Sequence, residues 1–288
     1  MALAAHNVDS ATAPVSRLKE SVLGTFLDYL KDYTPATEAL YLQAAKNFYS
    51  FLMSEEYASF NMAKIESIIK MRARKQGIRM PQFPADSLEK MITHYLPALD
   101  MTIAYDHNER LRYMRDRAFI LTLADTGLRV HEICKLRRGD INWQEGQAMI
   151  IGKGDKQAMI RFSKRSTDSL KEYLDLRRKI DGSTGRPLAS LPLFSRHDQG
   201  TGAKVVEITT TTGREIVKDR AIQALGEQAG ITPHSFRHYF VTKVLRSTGN
   251  IKLAKELARH NNIQTTERYT HLTNDELDKG YYDVFEAK

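Results

Sequence analysis

The chain has 288 residues, 42% hydrophobic and 27% charged, a globular composition that excludes a disordered, fibrous or membrane-embedded protein. Its single cysteine, Cys134, excludes an intrachain disulfide and a cysteine-built zinc cluster. Forty-three Lys and Arg against 35 Asp and Glu leave a net charge of +8, a balance shared by proteins that meet polyanions and by merely basic enzymes. Met1 to Val15 has no basic start followed by an apolar block, so no secretion signal is expected, and no apolar run approaches the roughly 20 residues of a membrane span. The expected setting is cytoplasmic.

Residues 1–16 are small and polar and suit a flexible arm. Glu20 to Lys31 then places Val22, Leu23, Phe26, Leu27 and Leu30 at helical spacing. Thr37 to Leu52 repeats the pattern with Leu40, Ala44, Phe48, Phe51 and Leu52, which are expected to face a core. Met62 to Lys75 is a third, weaker helix. Lys70, Arg72, Arg74, Lys75 and Arg79 follow one another with no acid between and are candidate phosphate contacts. Pro81 and Pro84 break the periodicity, so a helical unit over 17–80 is expected to join, through a linker at 81–85, a larger unit over 86–288.

In that larger unit Asp86 to Tyr95, Tyr113 to Ala124 and Arg129 to Leu136 have helical patterns. The period then changes. Gln147 to Ile151 and Gln157 to Phe162 flank Gly152-Lys153-Gly154-Asp155-Lys156 and predict an antiparallel β-hairpin. Ser166 to Ile180 is helical, Asp181 to Gly213 is expected to be loop, and the rest is mostly helix. The fold class expected is mainly α with a small antiparallel β-hairpin or sheet.

Chemistry gathers at a few points. Thr232-Pro233 suits an N-cap and first helical position. At about 100° per residue, Arg237 falls within the apolar arc of Phe236, Phe240, Val241, Val244 and Leu245, with His234 near its edge. A guanidinium there needs an anion, either a bound oxyanion or a buried carboxylate. His234 and His238 lack the intervening Glu of a zincin motif, so no metal is expected. Arg129 stands before Glu132, a simple salt bridge or an oriented phosphate grip. Lys153 sits between glycines at the hairpin tip, a solvated turn residue or a mobile proton donor. His260 ends a helix starting after Asn250, and Tyr269 follows nine residues later.

The ordered set Thr126-Gly127-Leu128-Arg129-Val130-x-Glu132, Gly152-Lys153-Gly154-x-Lys156, Pro233-His234-x-x-Arg237-His238 and His260 with Tyr269 resembles the tyrosine recombinase (phage integrase, Xer-like) family over about 85–288. Thr34-Pro35-Ala36-Thr37 with Tyr41 is similar to that family's helical, SAM-like core-binding domain. The resemblance implies a two-domain clamp around double-stranded DNA, acting as a homotetramer on two sites with exchange of a C-terminal segment over Asn274 to Phe285. It implies that Arg129 and Arg237 grip the scissile phosphate, with Glu132 supporting. Lys153 would protonate the departing 5′ oxygen, His234 act as acid or base, and His260 hydrogen-bond the phosphate. Tyr269 would be the nucleophile, forming a 3′-phosphotyrosyl link. No metal ion or cofactor is required on this scheme, and Lys156 joins the DNA-contact candidates. Where the family usually carries Leu-Gly-His, this chain has Ala258-Arg259-His260, and His131 stands where a small residue is more usual. The expected function is site-specific recombination. A type IB topoisomerase-like or hairpin-forming strand transferase is the alternative, and a non-catalytic basic DNA-binding protein a more distant one. With no further N-terminal domain ahead of the helical unit, short inverted-repeat sites in a simple, nucleoid-associated system are expected.

Overall fold

The computed structural model describes residues 11–74, 85–95, 97, 106–151, 157–198 and 204–260. The chain divides into two compact units, Met1–Met80 and Pro81–Lys288.

The first unit is built from α1 (Val22–Leu30), α2 (Pro35–Ser54) and α3 (Met62–Arg72). Thr34 caps α2 by accepting from the Thr37 N–H, and Pro35 takes the first position, where its missing N–H matters least. Asn61 caps α3 through Lys64 N–H. Leu23, Leu27 and Leu30 of α1 pack with Leu42, Tyr49 and Leu52 of α2, Phe60, and Ile65 of α3. Burying each of these aliphatic side chains stabilises the unit by about 1.5–3 kcal/mol before conformational entropy is counted.

The helix over Thr37 to Leu52 is present, but its buried face is not the expected one. Leu52 is buried, whereas Leu40 is 69% exposed and Ala44, Phe48 and Phe51 also face solvent. Leu42 and Tyr49 occupy the core instead. Alpha-helical spacing marks two apolar stripes on α2, and the positions of α1 and α3 select between them.

Arg74 is engaged within this unit. Its backbone N–H and Nε both donate to the buried Glu38 carboxylate, at 2.8 and 2.5 Å, and Nη2 donates to the carbonyls of Leu30 and Tyr33. It ties the end of α3 to α1 and α2. Arg74→Ala strands the carboxylate and is expected to lower the unfolding free energy by about 2 kcal/mol, the pair being partly exposed. Urea denaturation should show Arg74→Met with Glu38→Leu milder than the single change; equal losses would mean the ion pair is not what holds the helices. Lys70 and Arg72 are exposed at the end of α3, while Lys75 and Arg79 lie outside the described residues.

The second unit comprises α4 (Ala85–Tyr95), α5 (His107–Thr126), α6 (Val130–Lys135), β1 (Ile141–Asn142), β2 (Gln147–Ile151), β3 (Gln157–Arg161), α7 (Lys164–Leu176), α8 (Arg178–Gly182), α9 (Thr210–Leu225), α10 (Pro233–Thr248) and α11 (Ile251–Ala258). Helix α5 is central, packing against α4, α6, α7, α9 and α10. It is buried on every side from Met114 to Ala124, which explains its continuous rather than striped apolar pattern. Its buried charges are paired: Asp116 with Arg115 and Arg220, and Arg117 with Glu172.

The sheet has antiparallel order β1-β2-β3, with Ile141 opposite Ala148 and Ala148 opposite Ile160, so these three residues and Ile150 cover the core. The expected mainly helical fold with a small antiparallel sheet is the one observed. Strand β1 was not expected; two residues are too few for a period to register. Helix α9 begins inside the expected loop, capped by Thr209 on the Thr212 N–H at 3.1 Å. Leu191, Leu193 and Phe194 of that loop are fully buried. Arg177, itself fully buried, holds it by donating to the carbonyls of Pro192 and Leu193 and to Ser195 Oγ. Among the described residues no helix is long and apolar enough to cross a membrane.

Candidate active site

Helix α5 ends at Gly127, which adopts φ 59°, a left-handed cap that glycine enters without steric cost. A Cβ here would also lie 2.5 Å from Phe240 of α10, so glycine permits both the turn and the close approach of that helix. Two residues later Arg129 occupies the N-cap of α6. The Glu132 carboxylate accepts the Arg129 backbone N–H at 2.8 Å and Arg129 Nη1 at 3.0 Å. Glu132 thus satisfies an otherwise unpaired donor at the helix start while pinning the guanidinium.

Thr232 caps α10 and Pro233 opens it, as the sequence indicates. Arg237, 2% exposed, lies within the apolar face among Phe236, Val241 and Leu245. Its Nη1 donates to the Gly127 carbonyl at 2.7 Å and its Nη2 to the Ala258 carbonyl. Gly127 lies two residues before Arg129 and Ala258 two before His260. One guanidinium therefore locks together the backbones that carry the other two groups. A second tie runs in parallel: Arg259 Nη2 donates to Glu132 Oε2 at 3.0 Å.

His260 is 8% exposed, its N–H bonded to the Lys255 carbonyl at the end of α11. Its pKa is pushed down to about 4, first by burial, then by the charges of Arg237 and Arg129, and last by His238 and His234. His238 falls to about 4 through burial, His234 and Arg237. The His234 ring lies edge-on to His238, centroids 4.4 Å apart; the residue is exposed overall, and its pKa is lowered by partial desolvation at the site, then by Arg237 and Arg129. These imidazoles are neutral near pH 7, each with one N–H to donate and one nitrogen to accept. Burial alone would raise Glu132; the Arg129 N–H and the Arg259 and Arg129 guanidiniums outweigh it and keep its pKa low.

The structure thus brings Arg129, Glu132, His234, Arg237 and His260 to one place. Lys153 and Lys156 of the hairpin tip, and Tyr269, lie outside the described residues, as does the stretch Asn274 to Phe285. Sequence reasoning noted Arg259 only as a departure and left its contact with Glu132 unseen. The signal available was its position: a helix end where glycine is usual. Three arginines against one carboxylate, with neutral imidazoles beside them, are chemistry suited to an anion whose oxygens spread charge over several donors, as a phosphodiester does.

Comparison with known proteins agrees with this chemistry. The chain is 29% identical over 248 residues to the tyrosine recombinase XerD of Listeria innocua, spanning 83% of this chain and 73% of the relative. It is 28% identical over 280 residues to the XerD of Brucella melitensis, spanning 96% and 84%. Among solved structures, the XerA recombinase aligns with TM-score 0.53 and 25% identity over 100% of this chain and 89% of that one. XerH bound to a palindromic difH substrate aligns with TM-score 0.64 over 95% and 74%, at 20% identity, a likeness of fold. The phage integrase family model matches residues 95–276, which include every candidate catalytic position singled out above; the chain belongs to the phage integrase family.

Proposed function

We propose that the chain is a site-specific DNA recombinase that cuts and rejoins duplex DNA through a 3′-phosphotyrosyl intermediate. The observation that carries the reading is the double tie by which Arg237 and Arg259 hold the Arg129 and His260 backbones together. In-line attack by the Tyr269 oxygen on the scissile phosphorus forms a P–O bond to tyrosine and breaks the bond to the 5′ oxygen. Negative charge grows on the non-bridging oxygens, where Arg129 and Arg237 stabilise it and His260 donates a hydrogen bond. Lys153 protonates the departing 5′ oxygen. His234, neutral at working pH, takes the phenol proton, which a group of pKa about 10 does not release unaided. The phosphotyrosyl link conserves the diester's energy, and a 5′ hydroxyl from another strand reverses the step. Lys70, Arg72, Lys75, Arg79 and Lys156 are assigned to phosphates flanking the site. The assembly proposed is a homotetramer on two DNA sites with exchange of the C-terminal segment, acting where chromosomal DNA lies.

The test is a duplex nicked next to its cleavage position, so that the departing fragment is lost and the adduct accumulates. Wild-type protein is expected to form a covalent adduct insensitive to EDTA, and Tyr269→Phe none, with DNA binding preserved. An adduct that persists in Tyr269→Phe would overturn the assignment. Joining of two differently labelled duplexes is the expected second result; relaxation of supercoils without joining would indicate topoisomerase-like activity instead.

A further inference from the structure

We propose that Arg259 is a positioning residue for strand cleavage, holding Glu132 so that Arg129 stays available to the scissile phosphate; the proposal rests on the recombinase reading above. A carboxylate facing a single arginine takes it in the two-pronged fork geometry, with two parallel N–H bonds. Glu132 is prevented from doing so. Its Oε2 is occupied by Arg259 Nη2 at 3.0 Å and by the Arg129 backbone N–H at 2.8 Å. Only Oε1 is left for the Arg129 side chain, which binds it through Nη1 at 3.0 Å. The described contacts of the Arg129 guanidinium thus use one nitrogen, and its side chain is 40% exposed, within reach of a ligand. Glu132 is itself buried and cannot turn away. Remove Arg259, and Oε2 becomes open to a second prong from Arg129, drawing the guanidinium down onto Glu132 and away from DNA.

Arg259 holds this place against its own backbone preference. It sits at the C-cap of α11 with φ 57° and ψ 47°, the left-handed region that favours glycine. Its Nε and Nη1 are buried with no hydrogen-bond partner among the described residues. A purely structural role would make its removal destabilising; here glycine relieves both strains.

Stability and activity are therefore expected to move in opposite directions in Arg259→Gly. On the nicked duplex at saturating DNA, adduct formation should slow by roughly 10–100-fold, the range typical of groups that orient a reacting residue. The Kd for DNA should change less than about threefold, and Tm should be unchanged or higher by a few degrees. Arg259→Lys, which keeps the charge without the fork, should recover part of the rate. In a Glu132→Gln background, Arg259→Gly should add little further loss, because the route runs through that carboxylate. Rates within twofold of wild type, full multiplicativity with Glu132→Gln, or a loss that follows a fall in Tm would each overturn the role of Arg259. Wild-type protein that forms no Tyr269-dependent adduct would instead overturn the recombinase reading.

Discussion

Arg237→Ala is expected to reduce covalent adduct formation by about 10³-fold or more, while duplex affinity, measured by fluorescence anisotropy, falls less than about tenfold. Two effects combine. The first is loss of a guanidinium that stabilises charge developing in the transition state, which binding of ground-state DNA does not report. The second is mechanical: without Arg237, the carbonyls of Gly127 and Ala258 lose the donor that links them. Each stranded carbonyl costs about 1–3 kcal/mol, so a lower Tm is expected as well. Arg237→Lys separates the two. It keeps the charge but cannot reach both carbonyls from a single ammonium, and a loss of at least about 10²-fold is expected. If Arg237→Ala cleaves within tenfold of wild type while remaining folded, the buried guanidinium is architectural and the site has been misassigned.

The second large effect concerns pH. His197 is buried, with its pKa lowered to about 3 by burial and by the charges of Arg115, Arg177, His107 and Arg112. Its surroundings give the reason in geometry. Tyr173 Oη accepts from Arg177 Nη1 at 3.0 Å and from the Ser195 N–H at 3.2 Å, so its own proton points to His197 Nε2, 2.7 Å away. That nitrogen must be unprotonated to accept it. His238 and His260 are depressed to about 4. The unfolded chain binds a proton at each of these near pH 6.5, whereas the folded chain refuses it until about pH 3–4. Stability is therefore fully present above pH 6.5 and falls as pH drops through that window. Carried down to those values, the loss is on the order of 5 kcal/mol for His197 and about 3 kcal/mol for His260. Urea midpoints measured from pH 7 to 4.5 should decline steeply, and His197→Gln, which can still accept from Tyr173, should flatten the slope by about one proton's worth. A midpoint that stays level between pH 6.5 and 5 would show that these imidazoles are already protonated in the folded protein.

Much of the fold was legible because its signals are local. The Thr232-Pro233 start of α10, the Asn250 cap of α11 and the spacing of Val22, Leu23, Leu27 and Leu30 each act within one or two helical turns, the range over which caps and periodicity operate. Arg237 on an apolar arc flagged a buried charge needing an anionic partner, though the partners it found include backbone carbonyls. The ordered motif boxes identified the family without any coordinates. Arg74 shows what a local signal leaves out. The basic run marks it as a candidate DNA contact, and nothing in the run reveals that the buried Glu38, 36 residues earlier, also holds it.

The sequence by itself located most of the helices and the β2–β3 pair, named the residues proposed to carry the recombinase chemistry, and showed a basic balance of the kind found in proteins that meet DNA. Tertiary structure alone decided which stripe of α2 is buried, that Arg177 anchors the loop after α8, and that Arg259 shares Glu132 with Arg129. The reason is the range of the forces involved. Helical periodicity and capping depend on neighbours a few residues away. The Arg237 bond to Gly127 spans 110 residues and the Arg259 bond to Glu132 spans 127. Only packing of the intervening helices around α5 brings such groups within hydrogen-bond reach, and no window of sequence contains both partners.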